Sequence, residues 1–367
     1  MNRAEVEKRT ILLGVVGSQA YRINTATSDI DLKGIAVAKK RHYLGFETFE
    51  QKDQGWHSEP GTIEAINHSA DVCVYELRKY LHLAALNNPN ILELMWLDAE
   101  DYLVLTDVGK KLISYRQEML CTKVKHSFSG YAFAQLKKIE THRKWLLNPP
   151  TKKPELADFG LSEEYKPLTK DQINAFLEFL YLSVRNCIEF MQPAEELYEL
   201  LIARIDYKGI FKQHPLPEQV LPNVQQLTRA SNDFIRLLHI SQAYRTALRE
   251  YDNYQSWKKN RNVTRAEYER KVGYDVKHAA HLIRLLRMGI EILKTGEVIV
   301  NREKAGDAPQ LKAIRNCEYS YEQVKALADE LFAEIEAIYP KSVLPKYIDR
   351  SKINDICVEL VEMQGWE

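Results

Sequence analysis

The feature that most constrains this chain is an apolar segment that ends at a glycine-serine step and is followed, ten residues later, by two aspartates. The segment Ile11–Val16 is apolar throughout, which is typical of a strand buried on both faces. Gly17 and Ser18 follow it directly. Glycine at this corner permits backbone angles that other residues resist, and its exposed amides can bind phosphate together with the Ser18 hydroxyl. The pattern therefore predicts a β-sheet with an anion-binding turn at one edge.

The two aspartates, Asp29 and Asp31, are expected to lie in a second strand. Side chains alternate between the faces of a strand, so Asp29, Asp31 and Lys33 would share one face. At a rise of about 3.3 Å per residue, the two aspartates stand roughly 6 to 7 Å apart at their backbones. Because uncompensated carboxylates repel one another, this spacing favours a site for divalent cations.

A third carboxylate would complete such a site, and Asp71 is the best candidate. It opens the β-branched run Asp71–Val74, which predicts another strand before a helix that starts near Tyr75. Glu64 and Glu76 are the alternatives. Glu76 lies where apolar residues begin to recur at helical spacing, so a place in the first turn of a helix suits it better.

Composition limits the class of protein. The 367 residues suggest two or three domains, and 51 basic residues balance 51 acidic ones, so a strongly basic nucleic-acid-binding surface is not expected across the whole chain. The five cysteines are scattered without a Cys-x-x-Cys pair, which predicts reduced thiols and no zinc site. His278 and His281 are also not expected to bind metal, because no carboxylate or cysteine accompanies them at ligand spacing. The charged N-terminus and the lack of a long apolar span predict a soluble, cytoplasmic protein that has no contact with a membrane.

We predict an α+β fold with two parts. Residues 1–120 carry mixed strand and helix signals and are expected to form a catalytic domain with a small mixed β-sheet and flanking helices. Residues 121–367 have helical patterns almost throughout and are expected to form a larger, all-helical domain. No internal repeat is present, and the oligomeric state is left open.

Two helices of the second part carry candidate binding residues. The first, at about 125–147, has an apolar stripe and a second stripe formed by Tyr131, Gln135, Lys138 and His142. In one interpretation, Lys138 binds phosphate and Tyr131 stacks on a base. In the other, the stripe is an ordinary solvated face of the helix. The second helix, at about 275–294, places Lys277, His281 and Arg284 on one face, which would bind triphosphate or an RNA backbone, or pair with acidic residues of the first domain.

The glycine-serine step with its Asp-x-Asp pair resembles the signature of the polymerase-beta type nucleotidyltransferase superfamily. The chain is most similar to a branch of predicted nucleotidyltransferases associated with RNA-ligase repair systems in bacteria and phages. Arg22 departs from that branch, which often has glycine there. The segments that carry the closer resemblance are residues 17–21, 28–35, 75–80, 88–93, 130–137, 142–150 and 273–286.

The resemblance implies that a nucleoside monophosphate is transferred from a nucleoside triphosphate to an acceptor hydroxyl, with release of pyrophosphate. It implies Mg²⁺ or Mn²⁺ in a two-metal site and an RNA 3′ end as the acceptor, with the helical domain covering the cleft. In this interpretation Asp29 and Asp31 hold both metals and Asp71 completes the shell of the catalytic one. Gly17 and Ser18 then bind the triphosphate.

Two other functions remain open at this point. One is transfer of a nucleotide to a protein, or a toxin–antitoxin role. The three carboxylates do not distinguish an RNA hydroxyl from a protein hydroxyl, because both present the same attacking oxygen. The other is a nucleotide-binding sensor without catalytic activity. The complete set of carboxylates favours an enzyme over the sensor.

Overall fold

The computed structural model describes residues 1–25, 28–69, 71–189, 218 and 221–366. Its strands are β1 Thr10–Val16, β2 Asp31–Ala36, β3 Gln51–Lys52, β4 Asp71–Glu76 and β5 Tyr102–Leu105. The first helices are α1 Arg3–Lys8, α2 Gly17–Ala20, α3 Lys40–Leu44, α4 Glu64–Asn67, α5 Leu77–Ala85, α6 Pro89–Leu92, α7 Asp107–Ser114 and α8 Val124–Leu147.

Helices dominate the rest of the described chain. They are α9 Lys170–Glu189, α10 Leu221–Thr228, α11 Asn232–Lys259, α12 Val263–Val272, α13 Val276–Thr295, α14 Arg302–Ala305, α15 Ala308–Arg315, α16 Tyr321–Ile338 and α17 Arg350–Gln364. Short 3-10 helices occupy Glu93–Met95, Ala99–Asp101, Arg116–Met119, Leu156–Phe159 and Tyr339–Lys341. The predicted α+β fold class is therefore confirmed.

The sheet is mixed and has the strand order β3-β4-β2-β1-β5. β1 runs antiparallel to both β2 and β5, whereas β2 and β4 are parallel. Ile11 and Leu12 of β1 pack into one apolar cluster, and Leu13 packs into another. Both faces of β1 are thus covered, as its unbroken apolar sequence predicts.

The chain folds into two compact units. One comprises Met1–Arg143 together with Val263–Glu367, and the other is Lys144–Asn262. The larger apolar cluster of the first unit joins the sheet to α8, α13 and α16. The second unit has its own small core, which includes Leu180, Val224 and Leu238. The functional boundary predicted at residue 120 stays a prediction.

Helix α13 begins and ends where its sequence predicts. The Asp275 side chain accepts hydrogen bonds from the backbone amides of Lys277 and His278, and Gly296 ends the helix with a φ of +75°. Ile283, Leu286 and Leu293 are fully buried on its apolar face. In the described part of the chain, none of the helices is both long and apolar enough to span a lipid bilayer.

Arg22 has an unusual backbone conformation, with a φ of +57°. Its guanidinium lies 2.9 Å from Asp101, 3.2 Å from Glu100 and 3.8 Å from Asp98. The left-handed region costs a residue with a Cβ about 1–2 kcal/mol. This conformation explains why glycine suits the position, and the ion pairs offset part of the cost of arginine.

We predict that Arg22→Ala lowers the free energy of unfolding by about 1 kcal/mol more than Arg22→Gly, because both lose the ion pairs but only glycine accepts the positive φ freely. Urea unfolding measures the difference. At Arg116, which has no positive φ, the same two substitutions should rank in the opposite order. If alanine and glycine ranked in the same order at Arg22 and at Arg116, the result would contradict the account.

Candidate active site

Asp31 and Asp71 are direct neighbours in the sheet. They occupy the first positions of β2 and β4, and the parallel register pairs them with each other. Neighbouring strands lie about 4.8 Å apart, and the next odd residues, Lys33 and Cys73, are paired in the same way. Two carboxylates therefore start adjacent strands at the same edge of the sheet.

Asp29 lies outside the strand that the sequence predicts for it. β2 begins only at Asp31, because its partner β1 ends at Val16, which pairs with Asp31. Asp29 is exposed, two residues ahead of the strand. Its charge still acts on Asp31, where it contributes to a raised pKa. It thus remains within electrostatic reach of the pair.

The electrostatic balance at Asp31 disfavours its charged form. Burial raises the pKa of the Asp31 carboxyl above its usual value, and the charge of Asp71 raises it further, with a smaller contribution from Asp29. Lys277 and Lys33 lower the pKa but do not offset these effects. The two lysines therefore do not fully compensate the burial of Asp31 and the negative charges near it.

Gly17 brings the backbone against this carboxylate. Its φ is +68°, and a Cβ on Gly17 would lie 2.6 Å from Asp31 Oδ2. Both observations disfavour a side chain here, the first because the backbone would be strained and the second because the Asp31 carboxylate would have to move. The corner between β1 and α2 thus lies against the Asp31 carboxylate.

A cavity of about 290 Å³ opens at this corner. Eight of the candidate residues line it: Gly17, Ser18, Asp31, Lys33, Asp71, Lys277, His281 and Arg284. Sequence segments separated by more than 200 residues therefore meet in one site. Asp29, Tyr131 and Lys138 are predicted site residues that do not appear in the lining.

The two alternatives to Asp71 lie elsewhere. Glu64 is exposed in the short helix α4. Glu76 ends β4, five residues beyond Asp71, where its side chain accepts a hydrogen bond from the Lys79 amide at the start of α5. Neither of them lines the cavity. The geometry therefore favours Asp71 over both as the third carboxylate.

Lys33 is held by a buried network. Its Nζ donates to Glu93 Oε1 at 2.7 Å and to the carbonyl of Asn90 at 2.6 Å. The Tyr21 hydroxyl donates to the other oxygen of Glu93, and the Arg284 guanidinium lies 3.6 Å from the centre of the Tyr21 ring. Glu93 is thus bonded to two side chains that line the cavity, which fixes their positions.

Helices α13 and α15 supply a cationic wall. Lys277, Arg284 and Arg315 line the cavity on the C-terminal side of the sequence. Arg315 also donates to the carbonyl of Ile23, close to the corner. Spacing alone identifies Lys277, His281 and Arg284, whereas Tyr21, Glu93 and Arg315 escape a sequence-based selection because their contacts span long stretches of sequence.

His281 is neutral at physiological pH. Burial lowers the pKa of the imidazole to about 2, and the nearby charge of Arg284 contributes in the same direction. Within the described residues, its buried Nε2 has no hydrogen-bond partner. His281 therefore offers the cavity a polar atom without adding positive charge.

The polar stripe of α8 lies partly against the protein itself. Gln135 is buried, with its Oε1 2.7 Å from His278 Nδ1, and His142 lies near His278 and Asp275. Tyr131 packs against the large apolar cluster, while Lys138 is exposed. No carboxylate is expected at ligand spacing from His278 or His281, and Asp275, 3.7 Å from His278, corrects that expectation for His278.

Comparison with known protein families gives a match over the N-terminal part of the chain. Residues 1–152 match the model of the RlaP family, described as the RNA repair pathway DNA polymerase beta family. The match confirms the resemblance predicted from the sequence, and the family's description points to a polymerase-beta-like nucleotidyltransferase in RNA repair. No curated protein and no solved structure matches the chain.

We predict that Asp31→Asn increases the free energy of unfolding at neutral pH in the presence of EDTA. The raised pKa means that folding disfavours the ionised carboxylate, so this penalty is present above the pKa of the folded state. As the pH falls through the pKa of the folded state towards the usual pKa of an aspartate, this penalty should disappear. The difference in the free energy of unfolding between the variant and the wild type should disappear with it. Urea unfolding at several pH values measures both effects.

Asp355→Asn is the matched control, because Asp355 is exposed in the same compact unit. It should change stability little at any pH. A loss of stability in Asp31→Asn at neutral pH would show that the carboxylate is not destabilised by its surroundings.

Proposed function

We propose that this protein is a metal-dependent nucleotidyltransferase that moves a nucleoside monophosphate from a nucleoside triphosphate to an acceptor hydroxyl and releases pyrophosphate. The observation that carries the proposal is the pairing of Asp31 with Asp71 in adjacent parallel strands, with the Gly17 corner against Asp31. The family match of residues 1–152 supports the same class of reaction.

The residues at the site suit divalent cations. Carboxylate oxygens are the ligands that Mg²⁺ and Mn²⁺ prefer. The raised pKa of Asp31 reflects its burial first and the charge of Asp71 second, and bound cations would offset both effects. We assign Asp29 and Asp31 to both ions and Asp71 to one of them. When bound, two such ions would supply charge stabilisation for the attacking and leaving oxygens at phosphorus.

The chain itself would bind and orient the triphosphate. The Gly17 backbone leaves room beside Asp31 because it carries no side chain, and Ser18 lines the same cavity with a hydroxyl that can donate to a phosphate oxygen. Lys277, Arg284 and Arg315 supply positive charge across the cavity for the remaining phosphate oxygens.

Lys33 and His281 would have different roles from these cations. Glu93 already compensates the charge of Lys33, so we propose that Lys33 mainly reduces the repulsion around Asp31, whose pKa it lowers. The neutral His281 can donate or accept one hydrogen bond from the nucleotide without competing for its charge. Tyr131 and Lys138 stay candidates for the base and the phosphates.

We propose an RNA 3′ hydroxyl as the acceptor, on the basis of the repair role in the family's description. With an overall charge of zero, RNA affinity would rest on local clusters of cations, so binding should weaken as salt rises. Transfer to a protein hydroxyl remains the principal alternative. The carboxylates do not discriminate between these acceptors, so the labelled product decides.

We predict that the wild-type protein transfers label from an α-³²P nucleoside triphosphate to RNA with a 3′ hydroxyl in Mg²⁺ or Mn²⁺. RNA that ends in a 3′ phosphate should stay unlabelled, because the attacking oxygen is blocked. If protein in a cell extract were labelled and RNA were not, the acceptor would be a protein hydroxyl and not RNA. Tight binding of triphosphate with no pyrophosphate release under any of these conditions would indicate a sensor instead.

Asp31→Asn and Asp71→Asn should each reduce transfer by more than ~100-fold, since even the loss of a hydrogen-bond partner of a metal ligand typically costs 10–100-fold. Asp355→Asn is the control of equal chemistry and should retain activity. Circular dichroism and urea unfolding check that each variant is folded. Full activity in folded Asp31→Asn would refute the assignment of the catalytic carboxylates.

We predict that Lys277→Ala raises the apparent KM for the triphosphate by about 10-fold, the effect of about 1.4 kcal/mol expected when a charged hydrogen bond is lost. Lys138→Ala should also raise it if this residue binds phosphate. Lys137→Ala is the control, because Lys137 is exposed on the same helix and pairs with Glu140. Steady-state kinetics measures the KM of each variant. If Lys277→Ala had the same KM as Lys137→Ala, Lys277 would be excluded from the triphosphate site.

A further inference from the structure

Three side chains of metal-binding type meet outside the cavity, at the start of α13. They are His142 from α8, Asp275 at the N-terminal cap of α13 and His278 from its first turn. One ligand atom from each lies within 4.8 Å of the others, and His278 Nε2 is 3.7 Å from Asp275 Oδ2. None of the three belongs to the proposed carboxylate site.

We propose that His142, Asp275 and His278 bind a zinc ion. Two imidazoles and a carboxylate form a ligand set that zinc favours and that Mg²⁺ does not. Ligand atoms of a tetrahedral zinc site with bonds of about 2.0–2.1 Å lie about 3.3 Å apart. The side chains therefore need to move together by an ångström or so from their spacing in this structure.

Two sets of contacts orient the side chains of the cluster. His278 Nδ1 lies 2.7 Å from Gln135 Oε1, to which it donates, and Nε2 of the same ring lies 3.7 Å from Asp275 Oδ2. A hydrogen bond to the second ring nitrogen is typical of histidines that bind metal. Asp275 accepts both backbone amides through Oδ1, at 2.9 and 3.0 Å, and Oδ2 is the oxygen nearest His278.

Burial and charge add a separate argument. Asp275 is 3% exposed, and the neighbouring Glu269 is 2% exposed with its Oε1 4.0 Å from His142 Nδ1. Buried carboxylates are stabilised by positive charge close by. A divalent ion would add such charge between the two imidazoles, with Glu269 or a water molecule as the fourth ligand.

The site would connect α8 to the first turn of α13. Lys277 and His281, which line the catalytic cavity, flank His278 on the same helix. Cysteine spacing does not predict zinc here because the ligands are histidines and a carboxylate, and His142 lies more than 130 residues from the other two.

The test is the metal content of the full-length protein after dialysis against buffer with one equivalent of Zn²⁺. Mass spectrometry of the metal should give about one zinc per chain. His142→Ala and His278→Ala should each lose it, and zinc should raise the melting temperature of the wild type but of neither variant. Substitution with Co²⁺ should give the intense visible absorption of four-coordinate cobalt.

Three further variants make the test specific. Asp275→Asn keeps an oxygen that can cap α13 but removes the charge, and should weaken zinc binding while the helix stays intact. His126→Ala removes an exposed histidine from the same helix as His142 and should retain one zinc. Asp31→Asn should retain it as well, so the result is independent of the proposed transferase activity.

No bound zinc in the wild type, or equal zinc in the wild type and in the folded His142→Ala and His278→Ala variants, would overturn the proposal. A cobalt-substituted protein with the absorption of six-coordinate and not four-coordinate cobalt would also overturn the proposal.

Discussion

Repulsion between Asp31 and Asp71 is the interaction on which the rest of the site depends. The parallel register of β2 and β4 places the two carboxylates side by side, and the partial burial of Asp31 prevents water from screening them fully. A fold gains no stability from such an arrangement. Its presence beside a corner that favours glycine is therefore best explained by a function that needs concentrated negative charge.

The positive charge that partly compensates this pair comes mainly from distant parts of the sequence. Lys277 lowers the pKa of Asp31, and it belongs to a helix that packs in the same compact unit as the sheet. Lys33 is closer in sequence, but Glu93 holds its ammonium group. A triphosphate with its metals would thus meet carboxylates on one side and mainly α13 and α15 on the other. Two of the three proposed zinc ligands, Asp275 and His278, lie at the N-terminal end of α13.

Local patterns in the sequence predict the features that depend on neighbouring residues. The apolar run of β1, the capped ends of α13 and the β-branched strand at Asp71 each have a signal within a few residues, and the structure contains each of them. The alternation of side chains places the start of β2 two residues too early. The strand begins where its partner β1 ends, at Val16, and the sequence of β2 alone does not show this.

The unpredicted features all involve contacts over long separations in sequence. A helical stripe identifies which residues share a face but not what that face meets, and in the structure Gln135 and His142 of α8 lie against His278 and Asp275. The same limit applies to the bonds of Glu93 with Lys33 and Tyr21, and to the approach of Arg315 to the corner.

The most direct test of the central claim is a crystal structure with Mn²⁺ and a non-hydrolysable nucleoside triphosphate, in which anomalous scattering locates the metal. We predict manganese bound to Asp31 and Asp71, with the triphosphate between the Gly17 corner and Lys277. Manganese at other residues only, or a triphosphate bound outside this cavity, would contradict the account.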